Sequence, residues 1–196
     1  MSKTRCSWVG QSELDIQYHD LEWGVPCDKD QTLFEILTLE GAQAGLSWTI
    51  ILKKREGYRQ AFKNFDPVAV AKMTARAVDK LLQNPGIVRH RLKVESTISN
   101  ARAFLDVQRT EGSFARYLWK FVDFEPIQNR WTQLEQLPTS TEIAANISKD
   151  LKRRGFRFVG PTICYAMMQA AGLVNDHTVD CYRHKPLCNP GKKFGL

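Results

Sequence analysis

The chain has 196 residues, 28 of them Lys or Arg and 21 Asp or Glu, giving a formal charge of +7 and an isoelectric point near 9.2. Its 43% apolar content excludes a largely disordered chain. No apolar run reaches the ~18 residues of a membrane span, and the N-terminus lacks a signal-peptide pattern.

These features predict a cytoplasmic monomer with no membrane partner, folded as one domain over residues 1–184 and followed by a poorly ordered tail from Lys185 to Leu196. The positive balance suits a polyanion, because Lys and Arg displace counterions condensed along phosphates. It also suits an ordinary basic surface. The five cysteines are too few and too dispersed for a disulfide framework, which leaves thiols free to act as ligands.

Helical spacing dominates the chain. Between about 30 and 45, Leu33, Ile36, Leu37 and Glu40 recur at offsets of three and four and share one face. Asp66 and Pro67 read as an N-cap and a first-turn proline, and Thr74 as the cap of a stretch over 75–83. Pro85 and Gly86 break the chain, and a long helix follows from about 89 to 107. Ser113 opens a short helix carrying Phe114, Tyr117, Leu118 and Phe121. The aperiodic stretch 124–138 reads as a connection with Trp131 anchored on the core. Thr139 and Glu142 have capping-box spacing ahead of the stripe Ile143, Ile147 and Leu151, and a last helix spans about 161–171 before Gly172. No convincing strand is predicted.

Cys6 and His19 near one end, and His177 and Cys181 near the other, form a candidate metal set. The offset of four between His177 and Cys181 places both on one face of a helical turn. Thiolate and imidazole are the donors tetrahedral zinc prefers, and four protein ligands make a site structural, with no open position for substrate. Buried cysteines with capping or surface histidines fit the same residues equally well.

Glu40 stands on an apolar stripe, where an unpaired carboxylate is costly. Gly41 and Gly45 remove bulk beside it, and Tyr18, Trp23 and Trp48 offer flat faces. Acid and aromatics together suit a planar, cationic nitrogen heterocycle. An ion pair with Lys53 or Arg55, with Trp8, Trp23 and Trp48 as core filler, is the competing explanation.

Two basic turns join predicted helices. One runs from Lys152 to Thr162 and resembles a helix-hairpin-helix, in which backbone amides at the start of the second helix cradle a phosphate; the other runs from Asn84 to Lys93. The expected DNA contacts are Arg157, Val159, Gly160 and Thr162 in the first turn, and Arg89 and Arg91 in the second.

The segments CSWV at 6–9, YHDLEWGVP at 18–26, LEGAQAGLSWTIILKKRE at 39–56, FDPVAVAKM at 65–73, GIVRHRLK at 86–93 and GFRFVGPTICYAMMQAAGLVNDH at 155–177 together resemble the 3-methyladenine DNA glycosylase I family of bacteria. The resemblance implies an all-α, helix-hairpin-helix glycosylase fold with one structural zinc on Cys6, His19, His177 and Cys181 tying the two ends. It implies Glu40 as the catalytic residue of a base pocket, with the excised base inserted between Tyr18 and Trp48, and Trp8 and Trp23 in or near that pocket. The implied activity is monofunctional base excision: double-stranded DNA containing 3-methyladenine is bound in the bacterial nucleoid, the N-glycosidic bond is hydrolysed, and free 3-methyladenine and an abasic site remain. One departure from the pattern is Leu14-Asp15-Ile16-Gln17, where some relatives carry an aromatic residue. Asp176 receives no catalytic role.

Two other functions share part of this pattern. A noncatalytic, zinc-stabilised DNA-binding protein has the charge, turns and metal but no use for Glu40. A zinc-dependent nucleoside hydrolase needs an open metal position.

Overall fold

The structure, a computed structural model, describes residues 3–188. The helices in chain order are α1 (Glu13–Leu21), α2 (Asp30–Gln43), α3 (Trp48–Ala61), α4 (Pro67–Ala71), α5 (Ala75–Leu81), α6 (Arg91–Glu111), α7 (Phe114–Trp119), α8 (Glu142–Arg153), α9 (Pro161–Ala170) and α10 (His184–Cys188). Short 3-10 turns lie at Lys63–Phe65, Lys120–Val122 and Leu134–Gln136. None of the described helices is long and apolar enough to cross a membrane.

Helix starts follow local chemistry. Asp66 accepts from the Val68 amide and Ser113 from the Arg116 amide, satisfying donors that a helix leaves unpaired. Thr74 sits at its expected cap position in extended backbone, but its side chain makes no capping bond. The cap of α8 is Thr141, whose hydroxyl accepts from the Ala144 amide; Glu142 is then the first helical residue, so the expected Thr139 capping box does not form. Helix α6 runs on to Glu111, past the expected end near 107, and stops at Gly112 with φ +88°.

The core is built around α2, which packs on α3, α6 and α9, while α8 lies along α9 and α4 along α6. Leu33 and Phe34 are fully buried beside Phe104, Phe114 and Trp119. Phe104 stacks on Phe114 with ring centroids 4.2 Å apart. At the start of α2 the Asp30 carboxylate accepts from the amides of Phe114 and Ala115 and from Gln108 Nε2, at 2.6–2.9 Å. One side chain thereby joins α2, α6 and α7. Beneath the second basic turn, a Cβ on Gly57 would lie 2.2 Å from the Gly86 carbonyl oxygen, so α3 and the turn meet backbone to backbone.

Three features of the C-terminal third differ from expectation. A two-residue parallel bridge pairs β1 (Ile127–Gln128) with β2 (Val174–Asn175), too short to leave an alternating pattern. The segment from His177 to Cys181 is a turn, closed by the Cys181 amide on the Thr178 carbonyl at 2.8 Å, and not a helical turn. Residues 185–188, expected in the disordered tail, belong to α10. They are held there by buried Leu187 and by His184, whose Nε2 donates to the Asn129 carbonyl at 2.9 Å. The rest of that expected tail, 189–196, lies outside the described residues.

Candidate active site and metal-ligating cluster

The segments near the two termini of the described residues meet. The Tyr182 amide donates to the Thr4 carbonyl at 3.0 Å, and beside this link Cys6, His19, His177 and Cys181 are all buried with one donor atom each inside a 4.8 Å span. Cys181 Sγ lies 3.4 Å from His19 Nε2 and 3.5 Å from His177 Nδ1, and Cys6 Sγ lies 3.5 Å from His177 Nδ1. Tetrahedral zinc with its usual Zn–S and Zn–N bonds sets ligand separations of about 3.3–3.8 Å, and these three separations fall in that range, while donor type and burial suit the same ion.

The surroundings fit as well. His177 Nε2 donates to the Trp23 carbonyl at 3.1 Å, which fixes its tautomer and leaves the Nδ1 lone pair facing the cluster. His19 Nδ1 donates to Asp20 at 2.8 Å, which leaves Nε2 facing the cluster. Arg5 grips Asp20 through two bonds, at 2.7 and 2.8 Å, and holds its carboxyl well below the usual range. The sulfurs accept from Thr178 Oγ1 and the Arg183 amide.

Aromatic rings lie directly on this cluster. Trp23 meets His177 edge-on at 4.6 Å and lies nearly parallel to His19 at 6.3 Å, while Trp8 contacts His19 at 5.4 Å and Trp23 at 5.0 Å. Trp8 and Trp23 also border a cavity of about 260 Å³ that touches Tyr18, Glu40, Trp48 and Gln169. The sequence-predicted acid and all four predicted aromatics therefore converge on one space. Tyr18 and Trp48 are 5.1 Å apart and tilted by 49°. A planar base between them would need about 7 Å, twice a carbon contact of about 3.5 Å, so they form adjoining walls and not the two jaws of a sandwich. The buried indole N–H groups of Trp8 and Trp48 have no partner among the described residues.

Glu40, on the inward face of α2, is 5% exposed, and burial alone pushes its carboxyl up to about 8. The competing ion pair does not form: Arg55 is bonded to Glu22 and Glu35 at 2.7–2.8 Å, and Lys53 is exposed. Burial, followed by the neighbouring Glu40, drives the Tyr18 phenol well above its ordinary value and keeps it neutral. A neighbouring cavity of about 280 Å³ shares Tyr18 and Trp48; its walls Glu22 and Arg55 satisfy each other, and Glu40 and Trp8 do not line it.

A Cβ on Gly41 would meet Phe158 of the first basic turn at 3.4 Å, an ordinary van der Waals contact, while Gly45 adopts φ +79° in the α2–α3 loop. Lys93 Nζ donates to the carbonyls of Ala42 and Ala44 at 2.9 and 2.6 Å, fixing that loop beside Glu40. Asp15, at the departure from the family pattern, does not border the cavity; it accepts from Thr49 Oγ1 at 3.1 Å in the first turn of α3.

The first basic turn joins α8 to α9 and is firmly held. Asn100 pairs with both backbone groups of Arg157 at 2.8 and 2.9 Å, and Ser148 donates to the Val159 carbonyl at 2.6 Å. Arg157 and Thr162 are exposed. Val159 is 1% exposed, so its side chain plugs the core and is closed to DNA. Of the second turn, Arg89 is exposed, whereas Arg91 already pairs with Asp79 at 2.7 Å and Glu95 at 3.6 Å. Glu40 also borders a shallow opening lined by the 43–46 loop and by Thr162, Ile163 and Ala166 at the start of α9, so the acid lies behind the first turn.

Sequence reading missed Gln43, Leu134, Leu137, Ala166 and Gln169 as cavity walls. The two leucines come from the aperiodic connection, which carries no local signal. Asp176 is 1% exposed and accepts from Asn129, Trp131, Tyr165 and Gln169 at 2.5–2.8 Å, which supports giving it no catalytic role. Trp131 is anchored there, half-buried, through its indole nitrogen.

The raised Glu40 value predicts a pH effect. The folded chain keeps a proton that the unfolded chain releases near 4.5, so the contribution is full below that pH and is lost as pH rises to about 8. Denaturant unfolding should show wild type losing up to about 4 kcal/mol relative to Glu40→Gln between about pH 5 and 8. Parallel pH profiles would contradict the assignment.

Comparison with known proteins agrees with this geometry. The sequence matches the methyladenine glycosylase family over residues 8–184. It is 51% identical to DNA-3-methyladenine glycosylase 1 of Escherichia coli (strain K12), covering 96% of this chain and 98% of that one. The fold superposes on a crystal structure of 3-methyladenine DNA glycosylase I with a TM-score of 0.91 at 52% identity, covering 92% of this chain and all of the other. The Staphylococcus aureus enzyme, solved to show the structural basis of its 3-methyladenine recognition, superposes with a TM-score of 0.90 at 38% identity, covering 94% and 98%. The chain belongs to the methyladenine glycosylase family.

Proposed function

We propose that this chain removes 3-methyladenine from alkylated double-stranded DNA by hydrolysing the N-glycosidic bond, leaving an abasic site, and that one structural zinc on Cys6, His19, His177 and Cys181 holds its two ends together. The observation that carries the activity is Glu40, a buried carboxyl without a partner among the described residues, on the wall of an aromatic cavity.

Methylation at N3 makes adenine cationic, so the glycosidic bond is weakened and the base departs neutral. Recognition then contributes more than acid catalysis. The α8–turn–α9 unit acts as the helix-hairpin-helix: amides at the start of α9 and the exposed Arg157 and Thr162 hold phosphate, and Arg89 of the second turn adds charge. The damaged nucleotide flips out past the 43–46 loop. Its base stacks on the wall formed by Tyr18 and Trp48, with Trp8 and Trp23 lining the cavity beyond. The cation draws Glu40 into its ionised form, and the carboxylate accepts a base N–H. Unmethylated adenine has neither the charge nor the weakened bond. Water attacks the sugar carbon as positive charge develops there. The zinc has no open position and takes no part in this step. The chain acts as a cytoplasmic monomer.

Incubation with methylated duplex should release free 3-methyladenine and leave strands intact until base or a second enzyme is added. Glu40→Gln should slow release about 10- to 100-fold with duplex binding unchanged. Absence of released base would refute the activity, and direct strand cleavage would refute the monofunctional reading. Metal analysis should find one zinc per chain, and its removal by a chelator, or Cys181→Ala, should lower Tm by about 10 °C or more. A metal-free protein of unchanged Tm would refute the zinc.

A further inference from the structure

The cavity wall carries two side-chain amides that the account above leaves unused, Gln43 on α2 and Gln169 on α9, and the one with a described side-chain hydrogen bond is Gln169. Its Nε2 donates to Asp176 Oδ2 at 2.8 Å. Asp176 is buried and also takes Tyr165 Oη on Oδ2 at 2.5 Å, and Asn129 Nδ2 and Trp131 Nε1 on Oδ1 at 2.7 and 2.8 Å. The indole nitrogen can only donate, and a carboxylate so surrounded offers Gln169 an acceptor. The Gln169 amide is therefore fixed with its nitrogen toward Asp176, because the reverse orientation would set oxygen against oxygen. Its Oε1 accepts from no described group, and the residue is half-buried on the cavity wall.

We infer that Gln169 determines specificity, presenting Oε1 as a second acceptor beside Glu40 for the amino group of the flipped base, and that Asp176 is the positioning residue that fixes this orientation. The inference rests on the base-pocket reading above. An amino group brings two hydrogens, and Glu40 on α2 and the oriented Gln169 on α9 each offer an acceptor. A carbonyl oxygen at the same ring position would face oxygen instead and leave buried groups unpaired, which is how a polar site rejects a near-isostere. The Gln169 carbonyl dipole also favours a positively charged ring.

The test uses the full chain with two free bases, 3-methyladenine and 3-methylpurine, which lacks the amino group, and reads affinity through fluorescence of the cavity tryptophans. Wild type should prefer the amino-bearing base. In Gln169→Met, which keeps length and removes the acceptor, that preference should shrink about 10-fold. Asp176→Asn, checked for retained Tm and metal content, should shrink it similarly, because its amide lets Gln169 turn over. A merely structural role would weaken both bases equally, so an unchanged preference in Gln169→Met overturns the inference. Glu40→Gln, measured in parallel, separates the two readings. Loss of preference there with none in Gln169→Met overturns this inference alone, whereas a wild type that binds neither base overturns the pocket reading and this inference with it.

Discussion

Four side chains from opposite ends of the chain come within 4.8 Å of one another, and the cavity is built on what they hold. His177 is bonded to the Trp23 carbonyl and carries the Trp23 ring against its edge, while His19 carries Trp8. His19 also follows Tyr18 directly on α1, and His177 follows Asp176. Each histidine therefore fixes one residue of the cluster and, beside it, one residue of the cavity or its support. A tightly packed wall of this kind tolerates little movement. Stability and recognition, separable on paper into a staple and a pocket, share the same tryptophans.

Onto that wall the fold brings a feature that local energetics disfavour. Glu40 stands among apolar neighbours with no counter-charge, in a protein that pairs its other interior acids: Asp30 with backbone amides, Glu35 with Arg55 and Arg59, Asp176 with four donors. A carboxyl left this way is neutral near pH 7 and favours a ligand that brings its own positive charge. Two indole N–H groups without partners and the free carbonyl of Gln169 belong to the same economy. The cavity is under-satisfied when empty, and the chemistry that completes it is that of a flat, cationic, hydrogen-bonding ring.

Much of this was legible in the sequence because the signals were local. Leu33, Leu37 and Glu40 share a face by helical spacing alone, and Asp66 and Ser113 announce their helices by chemistry. Ligand type made the cluster conspicuous, although spacing misassigned the His177–Cys181 turn as helical. What stayed hidden depends on distant pairing. Leu134 and Leu137 reach the cavity because a two-residue bridge and Asp176 hold their connection in place, and neither device leaves a periodic trace. The contact between Gly41 and Phe158 joins residues more than a hundred positions apart and leaves no local signal. The exposed ion pair of Arg91 with Asp79, on the preceding helix, likewise leaves no periodic trace.

The central claim is that Glu40 is neutral in the empty cavity and ionises against the cationic base. It is tested most directly by isotope-edited infrared difference spectroscopy at neutral pH, with and without a duplex carrying a non-cleavable cationic analogue of the N3-methylated nucleotide. Binding should abolish a carboxylic-acid C=O band and create a carboxylate band, and both changes should be missing in Glu40→Gln. A Glu40 already ionised before binding, or still protonated after it, would contradict the account.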